Sequence, residues 1–164
     1  MFKLKTRDLA ICGMIAALYV VLIWAFSWCS FGWLQIRVAE ALCILPFFYP
    51  PAVFGLFIGC LVSNLLFSGV WDVVLGSLTT LVAALITSQI RLKWLTPLPA
   101  IVLNALVVPL ILILLGPDVT EGNTYWFMAA WVAAGQTIAC AGLGLPLLLM
   151  LGKIPFIKEL KSKP

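Results

Sequence analysis

Apolar stretches of membrane-spanning length occupy most of this chain and constrain its fold more than any other feature. A membrane-spanning helix needs about 20 predominantly apolar residues. Six candidate segments follow one another, at residues 8–28, 35–48, 52–67, 71–90, 99–116 and 125–151. The second is short, and Pro46, Pro50 and Pro51 close it because proline cannot continue a helix. The pattern predicts an all-α integral membrane protein with six transmembrane helices.

The overall composition agrees with a membrane protein. Hydrophobic residues make up 64% of the 164 residues and charged residues 10%, whereas a soluble domain averages about half and a quarter. The chain therefore lacks the residues for a polar surface. Its length fits one domain, residues 1–164. The basic start leads into an apolar stretch too long for a cleavable signal sequence, so we expect none.

The distribution of basic residues predicts the orientation. Nine of the 10 Lys and Arg residues lie in three places, at residues 3–7, 91–93 and 153–163. With six crossings these places share one side, which the excess of positive charge identifies as cytoplasmic. Both termini are therefore expected inside. The tenth basic residue, Arg37, lies on the external half.

Arg37 and Glu40 form an unusual pair inside an apolar segment. An ionisable residue at mid-membrane costs about 2.5–3.5 kcal/mol on insertion scales, so it suggests a functional site. On a helix these two residues share one face. In one interpretation they neutralise each other near the interface, with Arg37 extending outward. In the other, Glu40 accepts hydrogen bonds from a ligand, and Arg37 orients it or contacts the ligand too.

Four further polar residues in apolar segments are candidate ligand contacts: Asn64, Asn104, Gln136 and Asp72. The two asparagines could equally hold helices together through hydrogen bonds. Gln136 lies in a run of small residues that lets a helix or a ligand approach closely. Asp72 begins a segment, where the helix dipole alone would favour an acid.

Aromatic residues gather at the predicted external end, and Trp33, Trp71 and Tyr125 are candidates for a lid or for stacking walls. An interfacial aromatic belt is the alternative explanation. Aromatic faces combined with a carboxylate and amides suit a flat heterocycle with hydrogen-bonding edges.

Several absences narrow the function. Histidine is absent, and the five cysteines show no metal-ligand spacing. No P-loop or hydrolase signature occurs. We therefore expect no enzyme activity, metal, cofactor, structural disulfide or nucleic-acid partner. A proton-coupled secondary transporter using Glu40 or Asp72 is the alternative function, although no internal repeat of the kind common in that class is evident.

Small residues four apart occur in two segments, at Gly13-x-x-x-Ala17 and Gly55-x-x-x-Gly59. Both patterns allow close helix contact. Either could be internal packing, and the first, together with Ala16, could instead form a docking face for a partner subunit.

The run "QIRVAEAL" at residues 35–42, followed by "LPFF" at 45–48 and "PAVFGLFIG" at 51–59, resembles the QueT family. The resemblance extends through "WDVVLGSLTTLVAAL" at 71–85 to "CAGLGLPLLLML" at 140–151. Members are substrate-binding S-components of energy-coupling factor (ECF) transporters. The resemblance implies a six-helix fold in the bacterial cytoplasmic membrane, and a partner module made of a transmembrane coupling protein and two cytoplasmic ATPases. It also implies a queuosine precursor or related 7-deazaguanine, such as preQ1 or queuine, as substrate.

By position, Arg37 and Glu40 match the family's "R-V-[AS]-E-A-L" run, and Asn64 and Asn104 fall in its matching segments. Gly13 and Ala17 correspond to the helix face that S-components use for docking. One position departs from the family pattern. The resemblance implies a glutamate after the glycine in the last helix, and this chain has Gln136 there. If that acid contacts the cationic amine of preQ1, its loss favours a neutral or differently substituted base.

Overall fold

The computed structural model describes residues 5–30, 36–115 and 125–155, and every regular element within these ranges is helical. The principal helices are α1 (Thr6–Ala25), α2 (Val38–Phe47), α3 (Ala52–Phe67), α4 (Asp72–Gln89), α5 (Leu98–Leu115) and α6 (Tyr125–Leu151). Two short helical turns, Ser27–Ser30 and Lys93–Leu95, lie in the connections before α2 and α5. The all-α class is thereby confirmed.

Helix length separates the elements into two groups. Four are long and apolar enough to cross a membrane: α1, α4, α6 and the stretch Lys93–Ile113 that includes most of α5. The other two, α2 and α3, have 10 and 16 residues. Sixteen α-helical residues extend about 24 Å, less than the hydrocarbon thickness of about 30 Å. Six complete crossings therefore stay a prediction.

The short helix α2 lies at the centre of the bundle, packed against α1, α3, α4 and the second half of α6. Its residues from Ala39 to Ile44 are all buried. It is a 3₁₀ helix rather than the expected α-helix: the Glu40 N–H donates to the Arg37 carbonyl, three residues back, at 2.9 Å. A 3₁₀ stretch of 10 residues is long for this geometry, which is usually limited to three or four. Arg37 itself precedes the helix in an extended conformation.

Two glycines of α3 bring it into direct contact with α1. A Cβ added at Gly55 would lie 2.7 Å from the carbonyl oxygen of Cys12, and one at Gly59 would lie 2.7 Å from the Cβ of Tyr19. Any side chain there would collide with the neighbouring helix. The Gly55-x-x-x-Gly59 pattern therefore serves internal packing, as one interpretation of the sequence suggested for both small-residue patterns.

Two π-helical segments interrupt the long helices. One is Asp72–Gly76 at the start of α4, and the other is Thr137–Leu143 in the middle of α6. Segments of this kind occur frequently at functional sites because they reorient side chains locally. Two of the candidate ligand residues lie at their beginnings: Asp72 opens the first segment, and Gln136 directly precedes the second.

Candidate functional site

Glu40 is the buried centre of the candidate site. The Tyr19 hydroxyl on α1 donates to Glu40 Oε1 at 2.7 Å, and the Cys43 thiol donates to Oε2 at 2.8 Å. Glu40 itself is completely buried. Such a carboxylate requires partners because an isolated buried charge is very costly. Each carboxylate oxygen can accept more than one hydrogen bond, so both can receive a further donor while Tyr19 and Cys43 hold the group in place.

Arg37 supplies positive charge to the same region. Its guanidinium interacts electrostatically with both Glu40 and Asp72. The side chain is only 5% exposed, so it does not extend outward to the surface as the interfacial interpretation required. Arg37 and Glu40 are therefore both buried at the start of α2, and a ligand contact through Arg37 stays a prediction.

Asn64 joins α3 to the start of α4. Its amide nitrogen lies 2.9 Å from the Asp72 carbonyl oxygen and 3.4 Å from Ser77 Oγ. The carbonyl belongs to the first residue of a π-helical segment, where the usual helical pattern is interrupted. The amide nitrogen therefore makes the helix-to-helix contact that was one of the two interpretations. A ligand contact through Asn64 stays a prediction.

Gln136 is buried on α6, and the thiol of Cys140, one turn further along, lies between it and α2. The Cys140 thiol is 3.4 Å from Gln136 Oε1 and 3.6 Å from the backbone carbonyl oxygen of Glu40. Its single hydrogen can be donated to either oxygen. Gln136 is 1% exposed. The structure therefore brings α6 and α2 together at the residues that the sequence singled out on each.

Asn104 is the candidate ligand contact on α5. It is 2% exposed, and its amide nitrogen has no hydrogen-bond partner within the described part of the chain. Leaving a buried donor unsatisfied costs about 1–3 kcal/mol. A ligand or a water molecule at this position on α5 would recover that energy, which makes Asn104 the candidate whose donor is available.

Two of the three aromatic candidates lie at the starts of long helices, Trp71 just before α4 and Tyr125 at the first residue of α6. The Tyr125 hydroxyl donates to the Leu106 carbonyl at 2.8 Å and so ties α6 to α5. Trp71 is 49% exposed just before α4. Trp33 lies outside the described residues. A lid or stacking role for these three residues therefore stays a prediction.

The proposed docking residues separate into two positions on α1. Gly13 and Ala17 are exposed, and nothing lies within 4 Å of a Cβ added at Gly13. Ala16 is buried, with its Cα 3.1 Å from a Cβ added at Gly59. Grouping Ala16 with the outward face was therefore wrong: successive residues on a helix point about 100° apart, and this one faces α3.

The sequence reasoning missed the groups that hold Glu40. It used the cysteines only to argue against a metal site and a structural disulfide, yet Cys43 and Cys140 both approach Glu40. It also passed over Tyr19, which is completely buried. One signal was available for Tyr19, because a tyrosine in the middle of an apolar helix needs a partner for its hydroxyl. The thiols offered no such signal.

Comparisons with known proteins agree with the resemblance in the sequence. A family model described as QueT transporter matches residues 9–153. The queuosine precursor transporter QueT of Lactococcus lactis subsp. cremoris (strain MG1363) is 42% identical over 85 residues. That stretch covers 50% of this chain and 50% of the relative, so the match spans only half the length of each protein. No solved structure matches the chain significantly.

Proposed function

Because the chain belongs to the QueT transporter family, we propose that it is the substrate-binding subunit of an ECF-type ABC importer. It captures a queuosine precursor or related 7-deazaguanine base outside the cell and delivers it by docking to an ATP-driven module. The family and the four long apolar helices make it a multi-pass membrane protein. The substrate class is supported by the printed name of the L. lactis relative.

The proposed orientation places both termini in the cytoplasm. The described cations other than Arg37 are Lys5, Arg7, Arg91, Lys93 and Lys153. The last three line one groove at an end of the bundle. The start of α1 belongs to the same end, because Asp8 accepts a hydrogen bond from Tyr49, next to the groove residue Phe48. An excess of positive charge at one end is typical of the cytoplasmic side.

The observation that carries the proposed recognition is the buried carboxylate of Glu40. A guanine-like edge presents two neighbouring N–H donors, and a carboxylate held in a fixed orientation can accept both. Charge-assisted hydrogen bonds of this kind are the strong ones. Tyr19 and Cys43 supply the fixed orientation. Asn104 carries a buried donor on α5, and we propose that it pairs with a carbonyl oxygen of the base.

Gln136 bears on which base is carried. If Gln136 lines the site, its neutral amide, in place of a second acid, gives the site one negative charge fewer. A cationic aminomethyl group such as that of preQ1 would then lose a charged partner. We therefore infer a preference for a neutral or differently substituted 7-deazaguanine.

A binding panel tests the substrate class. The purified chain in detergent would be titrated with guanine, preQ1, queuine and queuosine, and with adenine as the control, and its unfolding temperature recorded. We expect stabilisation by at least one 7-deazaguanine and a weaker effect of adenine as the control, because adenine presents a different edge. Equal shifts for all the bases, or none, would remove the proposed recognition.

Reconstituted vesicles test the coupling to ATP. Uptake should require the coupling protein, the two ATPases and ATP. Uptake by the purified chain alone that a protonophore abolishes would instead establish the proton-coupled transporter, with Glu40 or Asp72 as the proton carrier.

A further inference from the structure

An open groove of about 780 Å³ lies at the basic end of the bundle, away from Glu40. It is formed where the end of α2, the connection between α4 and α5, and the end of α6 meet. Three cationic side chains line it, Arg91, Lys93 and Lys153, together with apolar and aromatic ones that include Phe48, Trp94 and Leu149. The groove therefore combines positive charge with apolar surface.

None of the lining residues that the structure describes is acidic, so this part of the lining does not compensate the charge of the groove. Asp8, the acidic residue of α1 at this end, accepts hydrogen bonds from the Tyr49 hydroxyl and from the Lys5 backbone N–H. It is therefore engaged elsewhere. Cations gathered without a counter-charge favour an anionic ligand.

The position of the groove relates it to the membrane surface. Trp94 is 60% exposed, and the Lys93 ammonium lies 5.5 Å from the centre of its ring. A tryptophan and a lysine at the end of membrane-spanning helices are typical of the level of the lipid head groups. The apolar wall continues along α6, where Leu149 and Met150 are 39% and 69% exposed. Because α6 is long enough to span the membrane, this surface faces acyl chains.

We propose that the groove binds an acidic phospholipid of the membrane. Its phosphate lies among Arg91, Lys93 and Lys153, and its acyl chains lie along the exposed side of α6. Basic pockets between transmembrane helices at the cytoplasmic surface suit lipid head groups in this way. An acidic segment of a partner protein would use the cations but not the adjoining lipid-facing surface, and free phosphate would use neither the wall nor the aromatic ring.

The test uses the full chain purified in a neutral detergent. Dioleoylphosphatidylglycerol, dioleoylphosphatidylcholine and glycerol 3-phosphate would each be titrated, with bound lipid counted by native mass spectrometry and stability followed by thermal unfolding. We expect dioleoylphosphatidylglycerol to bind at least about tenfold more tightly than dioleoylphosphatidylcholine. Glycerol 3-phosphate should produce no saturable stabilisation at matched concentrations.

Charge variants locate the site. Arg91→Gln with Lys93→Gln should weaken phosphatidylglycerol binding about 30-fold, since each basic residue near an anionic lipid surface contributes on the order of tenfold or less. The exchange Arg91→Lys with Lys93→Arg keeps the charge and should bind like wild type. Lys5→Gln with Arg7→Gln removes the same charge at the same end, outside the groove, and should change binding less than about threefold.

Four results would overturn the proposal. The first two are equal binding of the two lipids, and equal losses of binding in the groove variant and in the Lys5 and Arg7 variant. The third is saturable binding of glycerol 3-phosphate as tight as that of the lipid. The fourth is a groove variant that keeps the lipid but loses an energising module. The last result would assign the surface to a protein partner.

Discussion

Tyr19 on α1 holds Glu40 on α2 through a 2.7 Å hydrogen bond, and both side chains are completely buried. The bond crosses 21 positions of the sequence. It joins the buried carboxylate to α1, whose other buried residues are Cys12, Ala16 and Ile23. We therefore infer that Tyr19 positions Glu40 in the proposed ligand site.

Replacing Tyr19 by Phe should therefore weaken substrate binding without adding charge or changing shape. We expect affinity to fall about 5- to 30-fold and stability to fall by about 1–3 kcal/mol, because a buried acceptor loses its partner. Calorimetry with the substrate found in the base panel, and thermal unfolding, would measure both.

Tyr49→Phe is the matched control, because that hydroxyl donates to Asp8 at the basic end instead. Burial and this hydrogen bond raise the pKa of the Tyr49 phenol, so it stays a donor at neutral pH. The control should lose stability and keep its affinity. If both variants lose affinity equally, the positioning role of Tyr19 is wrong.

Glu40→Gln should reduce affinity for the same base on the order of 30- to 150-fold, equivalent to about 2–3 kcal/mol. The amide keeps one acceptor and introduces a donor that points at the ligand's own N–H groups. Equal affinities of the wild type and the variant, measured by calorimetry, would show that Glu40 serves only the packing of α2.

Gln136→Glu should shift selectivity towards a cationic base. We expect the ratio of preQ1 to guanine affinity to rise about tenfold, because a charge-assisted hydrogen bond becomes available to the amine. Gln89→Glu adds the same charge at an exposed position of α4 and should leave the ratio unchanged. An unchanged ratio in the Gln136 variant would place this residue away from the amine.

Gly59→Ala should destabilise the protein by about 1–3 kcal/mol, because the new methyl group meets the Tyr19 Cβ and forces α1 and α3 apart. Gly69→Ala is the control, since nothing lies within 4 Å of a Cβ at that position. Thermal unfolding in detergent compares the two. Similar unfolding temperatures would mean that the contact relaxes freely.

Ala17→Trp should keep ligand affinity in detergent and yet fail to co-purify with the energising module, since a bulky side chain obstructs close helix contact. Ala25→Trp changes an exposed residue at the other end of α1 and should still co-purify. Lost ligand binding with intact co-purification would mean that this face of α1 points inward in the assembled protein.

Some features of the molecule could be predicted from composition and spacing alone. Long apolar runs indicate membrane-spanning helices, because a chain in lipid must satisfy its backbone hydrogen bonds internally and has few alternatives to a helix. The cost of burying charge drew attention to Arg37 and Glu40 before any contact was known. Glycines four apart predicted the close approach that Gly55 and Gly59 make. In each case one strong physical constraint acts on a local pattern.

Other features depend on tertiary contacts and could not be predicted in this way. The 3₁₀ geometry of α2 and the π-helical starts at Asp72 and after Gln136 are small changes in hydrogen bonding that apolar periodicity does not reveal. The thiols of Cys43 and Cys140 act as hydrogen-bond donors because the fold places them next to oxygen atoms of Glu40. Ala16 was assigned to the wrong face because small residues satisfy inner and outer surfaces equally.

At Gly55 and Gly59, α3 packs so closely against α1 that there is no room for a side chain between the two helices. If a partner docks at Ala17 as proposed and displaces α1, Tyr19, two residues further along, would move with the helix. Glu40 would then lose a donor at the moment a partner engages. By thermodynamic reciprocity, a base bound to Glu40 would alter the partner's affinity by the same factor. Helix α1 would then couple the ligand site to the docking face.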